Sequence, residues 1–313
     1  MVTLALVFPG QGSQYVGMGK DLAQWSAAAK DTFLEADEAL GFSLGRLCFE
    51  GPEEDLRLTE NTQPAILTVS VAAWRALGAE IDLAPACVAG HSLGEYSALV
   101  AAGSIGFTDA AKAVRERGRA MQEAVPAGEG AMAALLGMDR DQIINICDAV
   151  SSDSVVVAAA NYNAPGQIVI AGHRAGVLGA IDLFKERGGK RAVELPVSAP
   201  FHCALMEPAA RRMEKVLKDI RIDSPKTLLI NNAEAVAIKE GTQVVPSLVR
   251  QVTSPVLWED SVNAMVERGV TAFLELGPGK VLAGLIKRID KQVAAASFGA
   301  PEDLGSTVEF LEV

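Results

Sequence analysis

Residues 86–94 read Ala86-Cys87-Val88-Ala89-Gly90-His91-Ser92-Leu93-Gly94. Ala86 to Gly90 is small and apolar and predicts a short buried strand; Gly90 to Gly94 predicts a tight turn, and a helix follows to about Ala102. Strand, sharp turn and helix are the setting in which G-x-S-x-G acts as a nucleophile elbow, because small residues beside the serine let the turn expose its hydroxyl. With 29 glycines in 313 residues the bare pattern is weak. The flanking elements give it force; without them Ser92 reads as a buried turn serine.

Thr3 to Phe8 is an apolar strand that stops at Pro9-Gly10-Gln11-Gly12-Ser13-Gln14, as in a parallel α/β sheet. The chain from Asp31 to Glu60 reads as mostly helical and polar. A helix is expected from Gln63-Pro64-Ala65 to about Leu77, with the proline in its first turn. From about Gly130 the rhythm changes: strand Ala131 to Leu136, helix Asp139 to Val150, strands Val155 to Asn161 and Gln167 to Ala171, helix Ala175 to Arg187, strand Arg191 to Val197. That order is the ferredoxin-like split pattern and predicts a small inserted domain. Beyond it come a helix from Glu207 to Lys218, a strand at Leu228 to Asn231, a helix after Pro246, and a strand Thr271 to Leu276 running into Gly277-Pro278-Gly279 and a closing helix. The expectation is a discontinuous large α/β domain (1–126 and 198–313) with a ferredoxin-like insert (127–197).

A serine needs a base within hydrogen-bond reach. Of three histidines, His91 adjoins Ser92 and is expected to point away, and His173 falls on a turn of the insert, where a solvated role is expected. His202 follows the loop by which the chain re-enters the large domain and is assigned as base. An oxyanion hole needs backbone N–H donors. Leu93 supplies one by position, and Gly10-Gln11-Gly12 offers a second at Gln11 unless that turn is an ordinary βα loop; Gly277-Pro278-Gly279 reads as a structural turn. In the helix from about Asp109 to Gln122, Ala110, Ala113, Val114, Arg117 and Met121 share one face, so Arg117 is the only charge on the apolar side. A buried guanidinium must meet a carboxylate, from the protein or from a ligand.

Taken in order, Phe8-Pro9-Gly10-Gln11-Gly12-Ser13-Gln14, Gln63-Pro64-Ala65, Gly90-His91-Ser92-Leu93-Gly94-Glu95-Tyr96, Arg117-Gly118, Asn161-Tyr162-Asn163-Ala164-Pro165-Gly166-Gln167, Pro200-Phe201-His202 and Glu275-Leu276-Gly277-Pro278-Gly279 resemble the malonyl-CoA:acyl carrier protein transacylases, relatives of polyketide-synthase acyltransferase domains. The resemblance covers nearly the whole chain. It implies an α/β-hydrolase-like large domain, Ser92 acylated by malonyl-CoA, His202 as base and then acid, and Gln11 and Leu93 N–H groups as the oxyanion hole. It implies also that Arg117 holds the malonyl carboxylate and that the main-chain carbonyl of Gln251, otherwise a polar helix-end residue, orients the histidine. Asn161 and Asn163 match polar residues near the CoA arm, or are turn asparagines. Leu93 and Phe201 match the malonyl rather than the methylmalonyl pattern. Malonyl-CoA and acyl carrier protein are the implied substrate and partner, with no cofactor and no metal. The rival reading on the same elbow is a thioesterase or carboxylesterase; a silent scaffold would need Ser92 or His202 to be missing.

Composition limits the alternatives. Thirty-nine acidic against 28 basic residues give −11, which argues against nucleic acid or an anionic membrane surface as partner. No apolar run approaches the ~18 residues of a membrane helix, and Met1 to Phe8 lacks the basic start of a signal peptide, so a cytoplasmic location is expected. Cysteines 48, 87, 147 and 203 have neither disulfide nor zinc spacing and read as reduced, mostly buried thiols. Residues 31–60 carry nine acids and two arginines, −7 of the −11, whereas Lys185-Glu186-Arg187-Gly188-Gly189-Lys190-Arg191 is locally +3. Lys190 and Arg191 are therefore candidate docking positions for an acidic carrier, set against plain solvated charge.

Overall fold

The computed structural model describes residues 3–197 and 199–312. Met1, Val2, Ser198 and Val313 lie outside them, and Ser198 is where the sequence reading sets the return to the large domain. Ten strands are present among the described residues: β1 (Leu4–Phe8), β2 (Cys87–Gly90), β3 (Gly130–Leu136), β4 (Val157–Ala164), β5 (Gln167–His173), β6 (Arg191–Glu194), β7 (Leu228–Ile230), β8 (Ala237–Ile238), β9 (Ala272–Leu276) and β10 (Ala294–Phe298). One sheet has the order β10-β9-β1-β2-β7-β8 and is parallel except where β8 pairs with β7 at its edge. Its central strands, LALVF and CVAG, are buried at every residue, as a parallel sheet covered on both faces requires.

The second sheet, β4-β5-β3-β6, is antiparallel throughout. With the helices Arg140–Val150 and Arg174–Glu186 it has the β-α-β-β-α-β order read from the sequence. Asp139 starts the first of these helices as a capping box: its carboxylate accepts from Gln142 N–H at 2.8 Å, and the Gln142 side chain accepts from Asp139 N–H at 3.0 Å. The two sheets are tied together. Val256 exchanges backbone hydrogen bonds with β4, donating to Ala160 O (2.8 Å) and accepting from Tyr162 N–H (2.9 Å). Arg140 lies over the Tyr162 ring at 4.1 Å and pairs with Asp260 at 3.0 Å.

Several boundaries differ from expectation. The helix expected to start at Gln63 starts at Thr59 and runs to Glu80, and the one expected after Pro246 starts at Gly241. Pro64 and Pro246 therefore stand inside their helices, where each leaves one carbonyl without its helical donor while the flanking turns carry the helix. β6 stops at Glu194, and Leu195 to Val197 are irregular. The helix Val281–Ile289 does not close the chain: β10 and the helix Leu304–Glu312 follow. β10 opens with three alanines, which carry no β-branched signal. No helix among the described residues is long and apolar enough to cross a membrane.

Candidate active site

β2 ends at Gly90 and the helix Gly94–Ala101 begins four residues on, so Ser92 stands at the tip of the turn with φ +52°. A non-glycine residue holds this left-handed conformation only when its surroundings enforce it. The two glycines allow the turn: a Cβ on Gly90 would meet the backbone of Gly94, and one on Gly94 the carbonyl of Phe8 in β1. Asn232, just beyond β7, fixes the turn from below. Its Oδ1 accepts from Ser92 N–H at 2.6 Å and its Nδ2 donates to Gly90 O at 2.6 Å.

His202 also has a left-handed backbone (φ +60°) and is 4% exposed. Its Nε2 lies 2.7 Å from Ser92 Oγ, and its Nδ1 lies 2.9 Å from the main-chain carbonyl of Gln251. A carbonyl can only accept, so Nδ1 carries the proton and Nε2 is free to accept from the serine hydroxyl. Burial, then the nearby Arg117 cation, push the His202 pKa down to about 3, partly opposed by the Gln251 hydrogen bond. The imidazole is thus neutral at pH 7, the state a base requires.

Arg117 lies in the helix Phe107–Glu123, on the buried face with Ala110, Ala113, Val114 and Met121, and is 1% exposed. Its Nη1 donates to Gln63 Oε1 at 2.9 Å, and its Nη2 donates to Gln251 Oε1 at 2.9 Å and to Ser92 Oγ at 3.1 Å. Burial lowers its pKa, with Tyr96 and Glu95 acting the other way, and it remains a cation at neutral pH. Among the described residues no carboxylate hydrogen-bonds to it.

A cleft is lined by Gln11, Gln63, Ser92, Leu93, Arg117, Asn161, Leu195, Phe201 and His202, among others. The N–H groups of Gln11 and Leu93, which both line it, are engaged in no hydrogen bond among the described residues. Asn163 lies apart from these groups. Its Oδ1 is 2.8 Å from His91 Nε2, and the two line a neighbouring cleft with Gln11 and Gln167. His91 also lines the Ser92 cleft, with its Nε2 taken up by Asn163 and its ring against Trp258. His173 differs from its reading as a solvated turn residue: it ends β5, is half-buried, and its Nδ1 accepts from Val156 N–H at 2.9 Å. Lys190 and Arg191 are exposed at the start of β6, outside the cleft, and neither is in an ion pair among the described residues.

The sequence reading gave no role to Gln63, Glu95 or Asn232, and none to the Gln251 side chain. Glu95 had a usable signal: it is the only charge in the helix GEYSALVA, the argument that picked out Arg117. Asn232 had none, because its partners come from β2 and its elbow, distant in sequence.

A family model described as acyl transferase domain matches residues 5–301. The chain belongs to that family. Among its relatives, the malonyl CoA-acyl carrier protein transacylase of Bacillus subtilis (strain 168) is 47% identical over 312 residues, covering 100% of this chain and 98% of the relative. That of Escherichia coli (strain K12) is 47% identical over 309 residues, covering 99% and 100%. An acyl carrier protein S-malonyltransferase structure from Vibrio cholerae O1 biovar eltor superposes with a TM-score of 0.95 at 48% identity, over 97% of this chain and 99% of that one. A type II PKS acyl-carrier protein in complex with its malonyl-transacylase matches at TM-score 0.95 and 45% identity, over 98% and 99%. Ser92, Arg117 and His202 all lie within the matched residues.

Proposed function

We propose that this chain is an acyl-carrier-protein S-malonyltransferase of the cytoplasm, moving a malonyl group from malonyl-CoA to the phosphopantetheine thiol of acyl carrier protein through a malonyl-Ser92 intermediate, in fatty acid or polyketide synthesis. The names of the full-length relatives support the reaction, and one observation carries the choice of acyl group. It is the buried Arg117 guanidinium, 3.1 Å from Ser92 Oγ and with no carboxylate hydrogen-bonded to it among the described residues. A free malonyl carboxylate is the group a planar guanidinium fork matches.

In the first half-reaction Ser92 Oγ attacks the thioester carbon while His202 Nε2 takes its proton, and the carbonyl electron pair moves to oxygen, toward the N–H groups of Gln11 and Leu93. Collapse breaks the C–S bond, and the leaving thiolate of CoA recovers the proton from His202. The second half runs the other way: the pantetheine thiol gives its proton to His202 and attacks the malonyl-serine carbonyl, and Ser92 Oγ leaves reprotonated. A thiol has a pKa near ~8.5, so its thiolate leaves readily, and a neutral carbonyl on His202 Nδ1 suffices where an amide-cleaving enzyme uses a carboxylate. No cofactor beyond the CoA thioester enters this route.

A malonyl carboxylate on Arg117 would also offset the cation that depresses His202, so malonyl gains in proton abstraction as well as in binding. Asn161 on the cleft wall, and Asn163 in the adjoining cleft, fit contacts to the pantetheine arm of CoA. Lys190 and Arg191 suit docking of an acidic carrier: Arg191 stands four residues before Leu195 of the cleft, roughly 13 Å at strand rise. The test is to load the chain with labelled malonyl-CoA, remove excess and add holo carrier protein. The label is expected on the carrier; release as free malonate, unchanged by carrier, would mark a hydrolase.

A further inference from the structure

Beneath the nucleophile turn lies a buried carboxylate with no part in the steps above. Glu95, in the first turn of the helix Gly94–Ala101, is 1% exposed. Its Oε2 accepts from Gln251 Nε2 at 2.9 Å and from Asn232 N–H at 2.9 Å, while its Oε1 has no hydrogen-bond partner among the described residues. The two donors are the residues that hold the reacting groups. Gln251 donates to Ser92 O at 3.0 Å, accepts from Arg117 through Oε1 and anchors His202 through its main-chain carbonyl. Asn232 holds both ends of the elbow, at Gly90 O and Ser92 N–H.

A carboxamide has two orientations. A carboxylate beside its nitrogen and a guanidinium beside its oxygen select one of them for Gln251, because the reverse would set oxygen against carboxylate and NH2 against cation. We propose that Glu95 and Asn232 are positioning residues for acyl transfer, fixing the Gln251 amide and the strained Ser92 backbone so that serine, histidine and arginine stay in register. This rests on the acyl-serine reading above.

The network is tuned by charge as well as shape. Among the described residues, the charged or titratable groups reaching Glu95 are Arg117 from the helix Phe107–Glu123 and Tyr96 on its own helix. Burial raises the Glu95 pKa to about 7, opposed by the hydrogen bonds from Gln251 and Asn232 and by Arg117. As pH rises through that value Glu95 ionises, its hydrogen bonds become charge-assisted and Arg117 gains a counter-charge, so the positioned state strengthens with rising pH. Glu95→Gln keeps an acceptor oxygen and puts NH2 where the unpartnered Oε1 stands, so it mimics the protonated acid at every pH.

The experiment measures kcat and KM for malonyl transfer by wild type, Glu95→Gln and Asn232→Ala from pH 5.5 to 8, with thermal midpoints and malonyl adduct formation recorded alongside. The wild-type to Glu95→Gln ratio of kcat/KM is expected to approach one at pH 5.5 and to rise to ~10–100 at pH 8, with the change in kcat rather than in KM for malonyl-CoA. Asn232→Ala is expected to lower kcat similarly, and the double variant to lose less than the product of the two. A ratio independent of pH, or a Glu95→Gln enzyme as fast as wild type at pH 8, would overturn the proposal. If Glu95→Gln fails to fold, Asn232→Ala decides: wild-type kcat there overturns the proposal and a fall with KM unchanged supports it. No adduct on wild type would instead overturn the acyl-serine reading itself.

Discussion

At Ser92, three side chains or backbone groups meet one oxygen and one strained residue: Arg117 and His202 reach Oγ, and Asn232 holds the N–H. Arg117 reaches Ser92 Oγ and, in the proposed reaction, holds the malonyl carboxylate, so removing it should change acyl preference before it changes chemistry. Arg117→Ala is expected to lower malonyl loading ~10- to 100-fold, the worth of a charge-assisted hydrogen-bond pair, and to leave acetyl loading far less affected. Competition between malonyl-CoA and acetyl-CoA, read as the ratio of the two adducts, checks this. Equal loading of both by the native chain would remove Arg117 from its role. Arg117→Lys should recover only part of the preference, because an ammonium keeps the charge and loses the fork.

At the scale of elements, β6 is short, exposed along most of its length, and leads into the irregular Leu195 to Val197 wall of the cleft. Reversing Lys190 and Arg191 to Glu is expected to lower kcat/KM for carrier protein several-fold at low salt, with the deficit shrinking as salt screens the field, and to leave loading from malonyl-CoA unchanged. Carrier kinetics equal to wild type would return these residues to solvated charge. The elements also show what the sequence could carry. The β-α-β-β-α-β order was readable because short apolar runs alternate there with longer amphipathic ones such as Arg140–Val150, and the elbow because Gly90 and Gly94 have no substitute there. The early starts at Thr59 and Gly241 were missed because a proline within a few residues of a helix start looks like the start itself.

Across the whole molecule, the site is assembled from the ends of segments far apart in the chain: Gln11 after β1, Ser92 after β2, Arg117 from the helix Phe107–Glu123, His202 after the insert and Gln251 near the end of the helix Gly241–Thr253. Ser92, Arg117 and His202 each left a local mark, a motif or a lone charge or one of few histidines. The side-chain amides that hold them left none: Gln251 entered only by resemblance, for its main-chain carbonyl, and Asn232 not at all, because a buried amide is recognisable only once its partners are in place. The backbone bonds of Val256 to β4 and the Arg140–Asp260 pair tie the second sheet to the rest of the chain, and the cleft takes lining from both, Asn161 from β4 and Ser92 from beyond β2. In the proposed reaction this cleft passes an acyl group through Ser92. Intact mass after brief mixing with malonyl-CoA tests it most directly: one malonyl adduct on the native chain and none on Ser92→Ala is the result expected, and free malonate without an adduct, or an adduct that survives in Ser92→Ala, would contradict it.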